Sequence, residues 1–325
     1  MEPARKVLSA LFVAVALIMA GEALARELRV ADVHPPDYPT VQALTHMGRL
    51  IAERSQGRYT LKVFHSRQLG EESETIDQVR AGAIDMVRVN LTPLNALVPE
   101  TTVMSLPFLF RSVEHMHKVV DGPIGEDILK SFERHGLVGL AYYDSGARSF
   151  YTARRPVAGP ADLAGLRIRV QDSPLATAMV EAVGAQPVAL AYGQVEVGLK
   201  TGVIDGAENN WPSYHDSGHY RAAPFYCETR HTMAPEVVVM SRKVWDTLPT
   251  ADQQLIQDAA RDSVVVMRGL WKEREIRAEA AARRDGVTVT DADAGAFAAA
   301  MRPVYDRVVT EPRLRELVRR IQGVH

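Results

Sequence analysis

The residues of this chain best suited to chemistry are two arginines and an asparagine that lie near the ends of predicted strands. Arg148 follows the short segment 144–146, Arg169 lies near the carboxyl end of a predicted strand, and Asn209 follows another strand. In open parallel sheets, ligands bind beyond the carboxyl ends of the strands. A guanidinium binds a carboxylate through two parallel hydrogen bonds, which an ammonium cannot reproduce. These residues therefore predict capture of an anion, most naturally a carboxylate.

A polar segment, Gly206–Tyr214, surrounds this asparagine with further hydrogen-bonding and aromatic groups. Asn209, Asn210 and Trp211 are consecutive there, between a glycine and a proline that restrict the backbone. Amides supply donors and acceptors for hydroxyl groups, and an aromatic ring can cover the face of a sugar. The alternative is a buried loop whose asparagines bind the local backbone. The segment alone does not decide between these two interpretations, but it contains no obvious nucleophile.

Sequence motifs for catalysis, phosphate binding or metal binding are incomplete. The segment 193–201 resembles a phosphate-binding loop, but Leu199 separates its second glycine from the lysine. His215 and His219 have the spacing of zinc ligands on a helix, without the glutamate that follows the first histidine in zinc peptidases. Cys227 is the only cysteine, so no internal disulfide can form. We therefore expect a protein that is not an enzyme and that uses no cofactor or metal.

The first residues predict export from the cytoplasm. Two basic residues at positions 5 and 6 precede an apolar run from Val7 to Ala20, and Ala23–Ala25 has the small residues of a cleavage site. A membrane span needs roughly 20 apolar residues, which makes this run short for an uncleaved anchor, the alternative interpretation. We expect cleavage before Arg26, removal of residues 1–25, and a soluble mature protein in the periplasm.

Charge and length narrow the class of protein further. The formal net charge is −2 at pH 7, which argues against a general nucleic-acid binder because such proteins carry a basic surface. The 325 residues can bury a large core and are long enough to divide into two lobes. We expect a monomer whose partner is a small molecule and not a nucleic acid.

Strand and helix patterns alternate along the chain and predict an α/β fold. The first half carries predicted strands at 28–31, 59–64 and 83–89 and predicted helices at 39–56 and 72–80. A second series begins near residue 150, with strands at 166–170 and 187–190 and helices at 173–184 and 192–201. This order implies, in each lobe, a mostly parallel sheet flanked by helices.

Two later segments complete the predicted lobes: a short buried strand and a long helix. Residues 237–240 form a short apolar run that is typical of a fully buried strand. Residues 251–284 carry one long helical pattern, which at 1.5 Å per residue is about 50 Å, enough to cross both lobes. We expect lobe I to comprise residues 26–147 with about 235–274, and lobe II to comprise 148–234 with about 275–325.

From Val30 to Gln322 the chain resembles the extracytoplasmic solute-binding subunits of TRAP transporters, the DctP type. The motifs that carry the resemblance are 69–71 with 78–85, 105–110, 146–148, 163–170 and 202–209. The resemblance implies a two-lobed periplasmic binding protein fold that closes on its ligand, with a long helix spanning both lobes. It also implies delivery of a solute to a separate membrane permease, and no catalysis.

The resemblance further implies roles for individual residues. Arg169 would clamp the ligand carboxylate, Arg148 would assist it, and Asn209 would complete the site. The segments 32–40, 209–214 and 231–236 resemble the branch whose ligands are hexuronates, acidic sugars of the glucuronate or galacturonate type. Such a sugar also needs partners for its hydroxyl groups, and Trp211 is expected to shape the apolar side of the pocket. The candidates for the hydroxyl groups are Glu72, Arg88, Asn90, Asn210 and His34.

Two alternatives to a hexuronate-binding protein remain open from the sequence. The first is a binding protein for another carboxylate, such as a keto-sugar acid or a C4-dicarboxylate. The second is a secreted enzyme acting on sugar acids, in which Glu72 or Glu236 is the base and His34 or His231 assists it. That chemistry would require a carboxylate with a raised pKa.

Overall fold

The computed structural model describes residues 25–325. The predicted export signal falls on residues 1–25 and so lies almost entirely outside the described residues. Between residues 25 and 325, no helix is both long enough and apolar enough to cross a membrane.

The described residues form two sheets, the first of which has five strands. From edge to edge these are β2 (Tyr59–Phe64), β1 (Arg26–Ala31), β3 (Met86–Asn90), β10 (Glu236–Ser241) and β4 (Leu137–Tyr143). β1 is parallel to β2 and β3, whereas β10 is antiparallel to both of its neighbours. The sheet is therefore parallel except for one reversed strand. This sheet and the helices packed on it are called the first lobe below.

The second sheet has six strands and is also parallel except for one reversed strand. From edge to edge these are β11 (Thr288–Asp291), β9 (Phe225–Thr232), β5 (Arg148–Thr152), β8 (Gly206–Asn209), β6 (Arg167–Val170) and β7 (Gln186–Ala189). Here β5 is antiparallel to both neighbours, and the other pairs are parallel. This sheet with its helices is the second lobe. The chain passes between the lobes where β4 leads to β5 and where β9 leads to β10, so each reversed strand follows a crossing.

Helices flank both sheets, and one of them runs along both lobes. They are α1 (Pro39–Arg54), α2 (Glu72–Ala81), α3 (Pro99–Met104), α4 (Val113–Val120), α5 (Pro123–Ser131), α6 (Pro174–Ala182), α7 (Val195–Thr201), α8 (Trp211–Asp216), α9 (Arg242–Trp245), α10 (Thr250–Arg284), α11 (Ala294–Val308) and α12 (Pro312–Gln322). The 35-residue helix α10 packs against α1 and β4 of the first lobe and against α8 of the second. The two-lobed α/β fold with a long spanning helix is confirmed.

The last helix lies on a different lobe from the one expected. Residues 275–325 were expected in lobe II, and α11 does pack there, against α6 and β9. α12 instead packs against α3 and α5 of the first lobe. Its apolar stripe of Leu314, Leu317 and Ile321 is buried in that contact, since helix residues three or four apart share a face.

Local sequence signals fix the two helix starts that matter most for the site. At α6 the side-chain oxygen of Ser173 accepts hydrogen bonds from two backbone N–H groups, and Pro174 occupies the first turn, as predicted. At α8 the Asn210 side chain accepts a hydrogen bond from the N–H of Ser213 at 2.7 Å. Such caps stabilise a helix by about 1 kcal/mol. Asn209 thus ends strand β8, and Asn210 begins the next helix.

Candidate functional site

A polar cavity lies between the two lobes, where strand ends from both sheets meet. The cavity is narrow in this structure: the space inside it that a water-sized sphere can reach is about 20 Å³. It is lined by Val33, His34, Glu72, Asn90, Arg148, Arg169, Gln171, Tyr192, Asn209, Asn210, Ser213 and Glu236. Both lobes contribute, so a ligand held there would contact both of them.

The structure brings most of the sequence-predicted residues together at this cavity. Of the nine candidates, seven line it: His34, Glu72, Asn90, Arg148, Arg169, Asn209 and Asn210. They come from distant parts of the chain, and the strand ends predicted to hold them do converge. Arg88 and Trp211 are not among the lining residues.

Arg88 is buried beside the cavity by carboxylates that surround its guanidinium. The register of β1 and β3 pairs Ala31 with Val87, which places Asp32 next to Arg88. The guanidinium donates to Asp32, with 2.9 Å between Nε and Oδ2, and to Glu236, at 2.5 Å from Nη1. No part of its side chain is exposed. Arg88 therefore orients carboxylates and does not face the cavity, contrary to the expectation that it contacts ligand.

Trp211 packs into an aromatic cluster in the second lobe. Its indole stacks on Tyr226 with ring centroids 3.7 Å apart, and Tyr214 lies against its edge. Only 6% of the residue is exposed. The first position of α8 directs this side chain toward the lobe's own core, because the helix start is fixed by the Asn210 cap. The expected role at the apolar side of the pocket is therefore not supported by its position.

Arg148 reaches the cavity with its charge already balanced. Its Nε and Nη2 donate to Glu208 at 2.5 and 2.7 Å, and Nη1 donates to Asn209 at 2.8 Å. β5 and β8 are antiparallel neighbours, which sets the two side chains next to each other. Burial alone would raise the pKa of Glu208, but Arg148 and the nearby His231 outweigh burial and lower it to about 2. Glu208 is thus a carboxylate at neutral pH.

Arg169 differs from Arg148 because its charge has no counterpart in the part of the chain that the structure describes. It is 3% exposed, and its Nε donates to the backbone oxygen of Leu190 at 2.8 Å. Within residues 25–325, no carboxylate oxygen lies within 4.0 Å of its guanidinium. Burial lowers the pKa of Arg169, as it does for a cation removed from water. A buried charge without a partner is costly, so this guanidinium is prepared for an anion from outside the chain.

Acidic side chains line the first-lobe side of the same cavity. Glu72 accepts a hydrogen bond from the N–H of Asn90 at 3.0 Å and another from Gln171 of the second lobe at 3.3 Å. Burial raises the pKa of Glu72, and Arg88 opposes that rise. Glu236 pairs with Asn90 across the β3–β10 ladder, and both side chains reach the cavity. These carboxylates can accept hydrogen bonds from hydroxyl groups.

His34 presents a neutral imidazole at the edge of the cavity. Its ring stacks on Tyr38 with centroids 3.8 Å apart. Burial, followed by the charge of Arg88, lowers the pKa of His34 to about 3. Its Nδ1 is buried and has no hydrogen-bond partner in the described part of the chain. The Tyr38 hydroxyl lies 2.9 Å from Ser213 Oγ, so this stack also links the two lobes.

Sequence reasoning missed several lining residues, although some carried a signal. Gln171 follows the strand that holds Arg169, at the carboxyl end where ligands bind. Ser213 belongs to the polar segment singled out from the sequence. Val33 and Glu236 lie in segments that resemble the hexuronate-binding branch, and Glu236 was also considered as a catalytic base. Tyr192 carried no comparable signal. In residues 25–325, no three His, Cys, Asp or Glu side chains are grouped in a way that could hold a metal ion.

The chain matches one family profile over most of its length. This is DctP, described as bacterial extracellular solute-binding protein, family 7, and it matches residues 30–311. A curated solute-binding protein of Chromohalobacter salexigens is 40% identical over 293 residues, which are 90% of this chain and 87% of that protein.

Solved structures agree with the family profile. A TRAP periplasmic solute binding protein from Bradyrhizobium, in complex with α/β-D-galacturonate, is 53% identical, with a TM-score of 0.91 over 91% of this chain and 99% of that chain. Another from Xanthobacter autotrophicus, with bound β-D-galacturonate, is 46% identical, with a TM-score of 0.90 over 92% and 100%. The chain therefore belongs to the DctP family of TRAP solute-binding proteins.

Proposed function

We propose that this protein captures a hexuronate, an acidic sugar of the galacturonate or glucuronate type, and delivers it to a TRAP membrane permease. The observation that carries the proposal is Arg169, a buried guanidinium without a carboxylate partner in the described chain, at the wall of an interlobe cavity. The two relatives crystallised with galacturonate support the choice of ligand class.

The ligand carboxylate binds Arg169 through two parallel hydrogen bonds in this proposal. Arg148 and Asn209, already joined to each other, add donors beside it without adding net charge. The sugar hydroxyl groups face the opposite wall, where Glu72, Asn90 and the neutral His34 offer acceptors and donors. Binding between the lobes then favours their closed arrangement, because the ligand contacts both.

The proposal places the protein in the periplasm and makes the permease its partner. Its support is the predicted export signal, with residues 1–25 removed and Arg26 as the mature N-terminus, together with membership of an extracellular solute-binding family. It gives the protein no catalytic role. Two side chains of the catalytic alternative already have partners: Glu236 is paired with Arg88, and His231 lies 2.8 Å from Thr229.

A thermal-shift panel on the purified mature protein tests the function. D-Galacturonate and D-glucuronate should raise the melting temperature, since ligand at about 100 times its dissociation constant adds roughly 2.7 kcal/mol of stability. Neutral D-galactose, which lacks the carboxylate, should leave it unchanged. Stabilisation by a keto-sugar acid or a C4-dicarboxylate, with none by a hexuronate, would establish the alternative binding function. Conversion of the hexuronate to a product would establish an enzyme.

A further inference from the structure

The first-lobe wall of the cavity carries an excess of negative charge. One guanidinium, Arg88, is shared by three carboxylates: it donates to Asp32 and Glu236, and its Nη1 lies 3.6 Å from Glu72. With all three ionised, this Arg88 cluster has a net charge of −2. If Glu72 takes up a proton, Asp32 and Glu236 still outnumber the single cation. Glu72 and Glu236 of this cluster line the cavity.

The second-lobe wall has the opposite sign. Arg148 and Arg169 lie there with one paired carboxylate among residues 25–325, that of Glu208, which leaves one positive charge. The unbalanced cation is Arg169, since Glu208 is bound to Arg148. The two walls of the cavity therefore carry opposite charge: the second-lobe wall can bind an anion, and the first-lobe wall is acidic.

This polarity discriminates between ligands with one carboxylate and ligands with two. A sugar acid with one carboxylate places it on Arg169 and presents only hydroxyl groups to the acidic end. A diacid of the same carbon chain brings its second carboxylate against Glu72 and Glu236. Like charges brought together in a desolvated site are strongly unfavourable, and such repulsion is a common source of specificity.

We propose that Glu72 and Glu236 determine specificity by accepting hydrogen bonds from ligand hydroxyl groups and excluding a second carboxylate. The site therefore takes monocarboxylic sugar acids and rejects sugar diacids, the aldarates. This inference rests on the proposed hexuronate function and goes further, because it names the side chains that select within the class of sugar acids. Arg88 holds both carboxylates in place but does not itself line the cavity.

Calorimetry with matched ligands tests the inference. The probes are D-galacturonate, the open-chain monoacid D-galactonate, and the diacid galactarate, which differs from galactonate only in carrying a carboxylate at the far carbon. Weak ligands are measured by competition with galacturonate. The wild type should bind galactarate at least about tenfold more weakly than galactonate or galacturonate.

Isosteric variants isolate the charge of each carboxylate. Glu72→Gln and Glu236→Gln should each raise the affinity for galactarate relative to galacturonate by roughly tenfold or more, because they remove the repelling charge. Glu100→Gln is the control: Glu100 is 8% exposed and paired with Arg134, much as Glu236 is 6% exposed and paired with Arg88, but Glu100 does not line the cavity. This control should leave the ratio unchanged. Glu236→Gln breaks a direct ion pair with Arg88, whereas the ion pair that Glu72→Gln breaks is only a 3.6 Å contact. Glu72→Gln therefore still tests the inference if Glu236→Gln does not fold.

The possible outcomes separate the inference from the proposed function. A wild type that binds no hexuronate contradicts the function itself. Hexuronate binding combined with equal affinities for galactonate and galactarate overturns only the role of the acidic wall. The same conclusion follows if folded Glu72→Gln and Glu236→Gln proteins keep the wild-type ratio, or if galactarate binding stays undetectable in both.

Discussion

Arg148 is held in a two-pronged ion pair by Glu208, with 2.5 Å between Nε and Oε2 and 2.7 Å between Nη2 and Oε1. Arg169 lies across the intervening strand β8 and has no such partner among residues 25–325. The two arginines therefore have different roles, although they reach the same cavity. Arg148 is a neutralised donor, and Arg169 supplies the charge that attracts a carboxylate.

The Glu208–Arg148 pair predicts a pH-dependent loss of stability. The pKa of Glu208 is about 2 in the folded protein, below its ordinary value, so its contribution is present above about pH 4.5 and disappears as the pH falls toward 2. Glu208→Gln should cost roughly 3 kcal/mol of unfolding free energy at pH 7. Urea unfolding from pH 7 to 3 should show the gap between wild type and variant narrowing. A gap that is constant over this range would show that the charge of Glu208 is not its cause.

Tryptophan fluorescence should report ligand binding through Trp271 and not through Trp211. Trp271 lies on α10 with its ring centroid 6.0 Å from that of Tyr38, whose hydroxyl contacts Ser213 of the other lobe. Lobe movement changes this environment, whereas Trp211 stays inside its own aromatic cluster. Trp271→Phe should abolish most of the change in emission on adding galacturonate. If Trp211→Phe loses the change in emission and Trp271→Phe keeps it, Trp211 and not Trp271 reports ligand binding.

An ion-pair bridge across the lobes should favour the closed arrangement. Arg274 Nη2 lies 3.0 Å from Asp37 of the first lobe and 2.8 Å from Asp216 of the second. Partly exposed pairs contribute up to about 1 kcal/mol each, so Arg274→Gln should weaken hexuronate binding by roughly two- to tenfold. The control Arg277→Gln removes a charge that, among the described residues, pairs within α10, at 3.7 Å from Glu273. Small-angle scattering should show a larger radius of gyration for ligand-free Arg274→Gln than for that control. Equal radii of gyration and equal affinities in the two variants would show that the Arg274 ion pairs do not favour the closed arrangement.

Export should leave Arg26 as the first residue of the mature protein. Intact-mass analysis of the protein recovered from the periplasm measures this directly. Substituting Ala25 with a bulky residue such as Phe should slow cleavage, because the processing site requires small side chains. A periplasmic protein whose mass includes residues 1–25 would show that this segment is not cleaved.

The fold was predictable because its signals are local. Ser173 and Pro174 mark the start of α6 by capping and by ring geometry, and the long pattern predicted at 251–284 is α10, Thr250–Arg284. The strand predicted to precede Asn209 is β8, Gly206–Asn209, which includes Asn209 as its last residue. Its bounds depend on pairing with β5 on one side and β6 on the other, which the short polar sequence does not show.

The site was only partly predictable because its electrostatics depend on long-range pairing. Strand-end position and family resemblance predicted that Arg148, Arg169 and Asn209 share one site, and all three line the cavity. Nothing in the local sequence shows that Arg148 is matched to Glu208 while Arg169 is not, since that difference depends on strand order. The burial of Arg88 under Asp32, Glu72 and Glu236 has the same origin, because the arginine and its three carboxylates come from four separate segments.

The role of Arg169 as the carboxylate clamp can be measured by calorimetry on Arg169 variants with D-galacturonate. Arg169→Ala should lower affinity roughly 30- to 3,000-fold, since removing one member of a buried charge pair costs about 2–5 kcal/mol. Arg169→Lys should recover only part, because an ammonium lacks the planar fork. The melting temperature of the ligand-free variants should change little, because Arg169 has no carboxylate partner to lose among residues 25–325 and gives up only its hydrogen bond to the Leu190 carbonyl. Wild-type affinity in a folded Arg169→Ala protein would contradict the clamp, and equal wild-type binding of galacturonate and galactose would contradict acidic-sugar recognition as a whole.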